Sequence, residues 1–219
     1  MIRQHPFLTT FVALYMAGFG GYALLNGNKE FIFYGVIMLL CIGLVAWMHA
    51  RVGLSTLALW LLAIWGGLHM AGGNLPIPDS FMASSPPAEG SAHNVLYNFR
   101  PFAWFPKYDQ WTHAFGFFAA TIASWEALSW SSKCTLRPTF GILVGMVCIG
   151  MGLGAINEVV EFAAVLLIPN TNVGGYMNTG WDLVSNLTGC VLAAAFIAVF
   201  WREPRSASPG GDQSSRSAS

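Results

Sequence analysis

Six apolar stretches divide this chain, and each is about long enough to cross the hydrocarbon core of a bilayer. They run from Phe7 to about Leu25, Phe31 to about Ala50, Leu54 to about Gly73, Asp109 to about Trp130, residues 139 to 168, and Asp182 to about Trp201. A span needs about 20 predominantly apolar residues. Only 9% of the chain is charged and 55% is hydrophobic. A soluble domain carries about 25% charged residues, so this chain lacks the surface for water. The expectation is an all-α polytopic integral membrane protein. Residues 1–202 form one domain of six transmembrane helices, and residues 203–219 form a Ser/Gly/Pro-rich disordered tail. The net charge is zero, so nothing points to nucleic acid. Cys41, Cys134, Cys148 and Cys190 form no C-x-x-C, which argues against a disulfide framework or a zinc knuckle.

The opening MIRQHP and the apolar run after it resemble a signal peptide. The run is long enough to span and no small-x-small cleavage site follows, so it reads as an uncleaved first helix. Residues 74–108 form the longest loop, where Pro76, Pro78, Pro86, Pro87, Pro101 and Pro106 forbid long helices. Phe99, Phe102, Trp104, Phe105, Tyr108 and Trp111 suit an anchor at headgroup level, with a binding surface as the rival reading. Arg3, Arg51, Lys133, Arg137, Arg202, Arg205 and Arg216 fall on one side of the membrane, and Lys29, Arg100 and Lys107 on the other. The positive-inside rule then puts both termini in the cytoplasm.

Three polar clusters interrupt the greasy sequence. Tyr108, Asp109 and His113 lie in KYDQWTHAFGF, Asn157, Glu158 and Glu161 in GAINEVVEF, and Asp182 and Asn186 in NTGWDLVSNLTG. Ionisable groups inside membrane spans are expensive and mark function by default. Spacings of three and four put each pair on one helix face. The topology brings all three clusters, with His69 at the end of the third span, to the same end of the bundle. At 1.5 Å per residue, Glu161 lies about 10 Å and Glu158 about 15 Å below Ile168. Gly150 and Gly154 extend the Glu158 face and allow close helix approach.

Four carboxylates cannot all stay ionised at low dielectric without cations. Protons, Lys107 or Arg100 folding inward, or a metal ion would each relieve the charge. Asp109, His113, Glu158, Glu161 and Asp182 are the candidate metal ligands, and carboxylates with an imidazole suit Zn, Mn or Fe. Glu158, Glu161 and His113 are the candidate catalytic groups, with Asn186, Asn157, Tyr108 and His69 in support. Plainer roles compete. Asp109 and Asp182 suit helix N-caps, and Asn186 suits an interhelical hydrogen bond. His69 suits a satisfied core histidine, and Glu126 an interfacial position. Asn186-Leu-Thr188 fits a glycosylation sequon but lies inside a span.

At LHMAGG, KYDQWTHAFGF, INEVVEF and TGWDLVSNLTG the chain resembles the YjdF-type family of predicted bacterial inner-membrane proteins, over most of residues 60–195. The resemblance implies a multi-pass protein of the bacterial inner membrane. The last three spans resemble, more remotely, the VanZ-like family, through Asp109/His113, Glu158/Glu161 and Asp182/Asn186/Gly189. Neither resemblance implies a settled activity.

Three functions fit these residues. One is an enzyme with an outward-facing, metal-dependent site acting on a lipid or lipid-linked cell-envelope substrate, although G-x-S-x-G, H-E-x-x-H and the P-loop are all missing. Another is a proton- or cation-coupled transporter, for which a homo-oligomer would compensate for the small size. The third is a non-catalytic subunit whose polar clusters fix helix packing. Membrane lipids are the expected surroundings in every case.

Overall fold

The computed structural model describes residues 5–81, 83–86, 94–132 and 134–200. The tail from Glu203, Trp201, and the Arg3, Lys133, Arg202, Arg205 and Arg216 of the charge bias lie outside the described residues. Six long helices form: α1 (Pro6–Leu25), α2 (Lys29–Val52), α3 (Thr56–Gly72), α4 (Tyr108–Ser131), α5 (Phe140–Leu167) and α6 (Tyr176–Phe200). Among the described residues there is no β-strand, and a single bridge pairs Pro76 with Val95. Four helices, α1, α2, α5 and α6, are long and apolar enough to cross a membrane. α3 is apolar but has only 17 residues. α4 is long enough, yet Asp109, Gln110, His113 and Glu126 make it too polar to qualify by composition.

Local signals set the ends. The side chain of Asn28 caps α2 by accepting from Phe31 N–H at 3.1 Å, and its amide donates to the Gly73 carbonyl at 3.0 Å, tying the start of α2 to the end of α3. α2 stops at Gly53, whose φ of 72° is the left-handed cap that glycine adopts without penalty. Ser55 caps α3 through Ala58 N–H. Glu126, read from the sequence as interfacial, accepts from Ser55 N–H at 2.7 Å and from its hydroxyl at 2.6 Å, locking α4 to the start of α3.

Burial runs opposite to that of a soluble protein. Large apolar side chains face outward: Phe7, Leu25, Phe140, Val159 and Leu167 are all at least 65% exposed. A water-soluble monomer rarely shows so continuous an apolar surface. The interior holds polar residues such as His113, Asp182 and Asn186 beside its apolar side chains. On α5 the buried positions include Met146, Gly150 and Gly154, a four-residue stripe that carries the site face toward α6. One apolar cluster, with Leu8, Leu59, Ile122, Met146 and Ile197, fills one end of the bundle. A second, with Tyr15, Phe31, Tyr34, Met70 and Ala164, fills the end where the polar residues gather.

Candidate functional site

The three polar clusters meet between α4, α5 and α6, with His113 at the centre. Its Nε2 lies 3.6 Å from Asp109 Oδ1 and 3.5 Å from Glu161 Oε1, and its Nδ1 lies 3.9 Å from Glu158 Oε1. Nδ1 also sits 3.0 Å from Asn186 Oδ1. An amide oxygen accepts only, so Nδ1 donates to Asn186 Oδ1, while Nε2 faces the carboxylates of Asp109 and Glu161. One ligand atom from each of His113, Glu158, Glu161 and Asp182 lies within 4.8 Å of all the others. Ligands on opposite sides of an ion with 2.0–2.2 Å bonds stand about 4.4 Å apart, so small rotations close this group around one ion. Asp109 lies outside the four but borders His113.

Three polar atoms here have no hydrogen-bond partner: Glu158 Oε1, Asp182 Oδ1 and Asn186 Nδ2. Asp182 and Asn186 are both fully buried. Orphaned buried polar groups are costly and rare in native proteins, and a cation satisfies the two carboxylate oxygens, though not the Asn186 amide donor. The other contacts are orienting ones. Asn157 donates to Glu161 Oε1 at 2.8 Å. Asn178 donates to Asp182 Oδ2 at 2.6 Å and to Asp109 Oδ2 at 3.3 Å, bridging α6 and α4.

The N-cap readings of Asp109 and Asp182 are overturned. α4 starts at Tyr108 with Lys107 as its N-cap, and α6 starts at Tyr176, so Asp182 lies in its second turn. Both carboxylates instead face the bundle interior. The early start of α6 also corrects the sequence boundary. Residues 176–181 look like a turn because of Gly174, Gly175 and Gly180, yet they continue the helix. Asn178, Asp182 and Asn186 therefore form one stripe at four-residue spacing.

Of the two candidate counter-ions, Arg100 donates through Nη1 to the Ala103 carbonyl at 3.1 Å, and Lys107 Nζ donates to Asn178 Oδ1 at 2.8 Å, one side chain from Asp109 and Asp182. Tyr108 turns to α3, its hydroxyl donating to the Leu68 carbonyl at 3.1 Å. His69 sits in an aromatic ring of Phe31, Tyr34, Trp65 and Tyr97, with Nδ1 2.6 Å from the Tyr97 hydroxyl. Burial holds the Tyr97 phenol well above its usual range, so it stays neutral.

Sequence reasoning missed Glu30. It reads as part of a polar break, but it is the second residue of α2, is 5% exposed, and accepts from Asn172 N–H at 2.9 Å and from the Asn172 amide at 3.0 Å. Glu30, His69, Tyr97, Asp109 and Glu161 line a side cavity of about 20 Å³. That is room for about one water.

Several apolar helices around a buried histidine–carboxylate cluster define an α-helical membrane protein with a buried polar site. A family model described as predicted membrane protein (DUF2238) matches residues 7–203. The chain belongs to that family, which is the YjdF-type family of the resemblance. The VanZ-like resemblance rests on the residue pattern alone. No curated protein and no solved structure matches the chain.

Proposed function

We propose that this protein crosses the bacterial inner membrane six times with both termini in the cytoplasm. It holds a divalent metal ion, Zn, Mn or Fe, near the outer face, and acts as an enzyme on a lipid or lipid-linked cell-envelope substrate. The observation that carries the metal is Asp182. It is fully buried and one of its oxygens has no partner, within a group of ligand atoms from three helices. A lone ionised carboxylate in that position is strongly disfavoured, whereas a cation satisfies it. The packing supports six crossings, since short α3 and polar α4 lie against each other and against α1 and α6. When bound, such an ion polarises a phosphoryl or carbonyl oxygen or activates water. Asn186 orients the His113 ring, and Glu158, whose Oε1 accepts no hydrogen bond, serves as general base.

Thermal unfolding tests this reading. An ion at 100 times its Kd adds about 2.7 kcal/mol of stability. For a chain of this size that raises Tm by roughly 5–10 °C. Chelator-treated protein in detergent gains this shift with one of Zn, Mn or Fe, and Glu158→Gln abolishes it. No shift with any of the three overturns the metal reading. The side cavity favours one alternative, a proton-coupled site in which Glu30, His69 and Tyr97 connect the cluster to the Asn172 loop. In that case Tm follows pH and ignores metal.

A further inference from the structure

A groove of about 610 Å³ opens beside the acidic cluster, between α4, α6 and the chain from Arg100 to Lys107. Among the described residues its lining includes two cations, Arg100 and Lys107, and no carboxylate. Arg100 Nε is buried without a hydrogen-bond partner. Below these cations the groove turns apolar, with Trp111, Trp181 and Val184 along its walls. Each of the three is at least half exposed. On α6 the groove extends from Met177 to Thr188, about 16 Å at 1.5 Å per residue. One leaflet of hydrocarbon is about 15 Å deep. A cationic mouth, an apolar wall one leaflet deep and tryptophans at the rim match an anionic lipid and not a water-soluble phosphate.

We propose that this groove seats one anionic phospholipid, its phosphate between Arg100 and Lys107 and its acyl chain along Trp111, Trp181 and Val184. Its meaning as a substrate seat rests on the metal-site reading. Asn178 joins the two places, accepting from Lys107 on one side and donating to Asp182 and Asp109 on the other. The phosphate is thereby held one side chain from the cluster.

The test is native mass spectrometry of the chelator-treated full chain in detergent, titrated with phosphatidylglycerol, phosphatidylcholine or inorganic phosphate. The wild type retains one phosphatidylglycerol at least tenfold more tightly than phosphatidylcholine. Lys107→Ala with Arg100→Ala lowers that affinity at least tenfold, and Lys107→Arg restores it in part. Thr188→Trp, which fills the apolar end without touching a charge, also lowers it. Equal affinity for the two lipids, or unchanged affinity in both the charge and the Thr188 variants, overturns the proposal. Displacement of the lipid by millimolar inorganic phosphate overturns it in favour of a free-phosphate site. Because the metal is absent, lipid retention and metal uptake fail independently: lipid retained by a protein that takes up no ion leaves the groove standing and removes the metal.

Discussion

His113→Ala lowers metal affinity by more than about 100-fold while leaving the helix content unchanged. The size follows from position. Altering a residue that only orients a metal ligand costs about 10- to 100-fold, and His113 is the single nitrogen donor among the four residues that converge. Its ring also lies within 3.9 Å of carboxylates from two helices. Removing it leaves Asp109, Glu158, Glu161 and Asp182 close together, where they are neutralised by protons instead. His113→Asn separates packing from ligation, because it retains a polar side chain near Asn186 but has no imidazole. Dialysis of each variant against the ion that stabilises the wild type, followed by metal analysis, reads the effect. Variants that bind metal like the wild type remove His113 from the site.

Gly189→Ala costs about 3 kcal/mol, the upper end of what forcing an extra carbon into a packed interior costs. Tm in detergent falls by roughly 6–12 °C. A Cβ at Gly189 would run into the Ala114 carbonyl oxygen and lie 3.0 Å from Phe118 N. Both obstacles are backbone, so no side chain can swing away. α4 and α6 are the most extensively packed pair in the bundle, and the site depends on their separation. Asn178 reaches Asp109 across that same interface at 3.3 Å. Opening the interface therefore also weakens metal binding. Gly152→Ala is the control, because a Cβ there meets nothing within 4 Å. It leaves Tm unchanged or raises it, since alanine favours helix over glycine by about 1 kcal/mol. Equal losses in the two variants would contradict the close crossing.

Much of the site is written in the chain as spacing. The i,i+4 pair Asp109–His113 and the i,i+3 pair Glu158–Glu161 stand out because each breaks an otherwise apolar helix, and helical geometry puts each pair on one face. The residues that escape notice do so for physical reasons. Glu30 sits at a helix end beside Lys29, where charge is ordinary, and its burial depends on Asn172, which is 142 positions away in sequence. Asn178 is hidden by glycines that look like a turn but lie within or just before a helix. Had the four-residue stripe from Asn186 back through Asp182 been carried one turn further, it would have reached Asn178. Tyr97 sits in a loop without periodicity, so only tertiary contact reveals it. The N-cap readings fail because each helix starts earlier than its Asp, α4 with Lys107 as N-cap and α6 at Tyr176, so both carboxylates lie inside their helices and accept from Asn178 instead.

In the proposed function, α4, α5 and α6 together hold one ion. Elemental analysis of the detergent-purified wild type, after repletion with Zn, Mn and Fe and removal of loosely bound ions, measures this most directly. The expected result is about one ion per chain for one of the three. No retained ion after repletion with any of them would contradict it and leave the carboxylates as a proton-bearing or packing cluster.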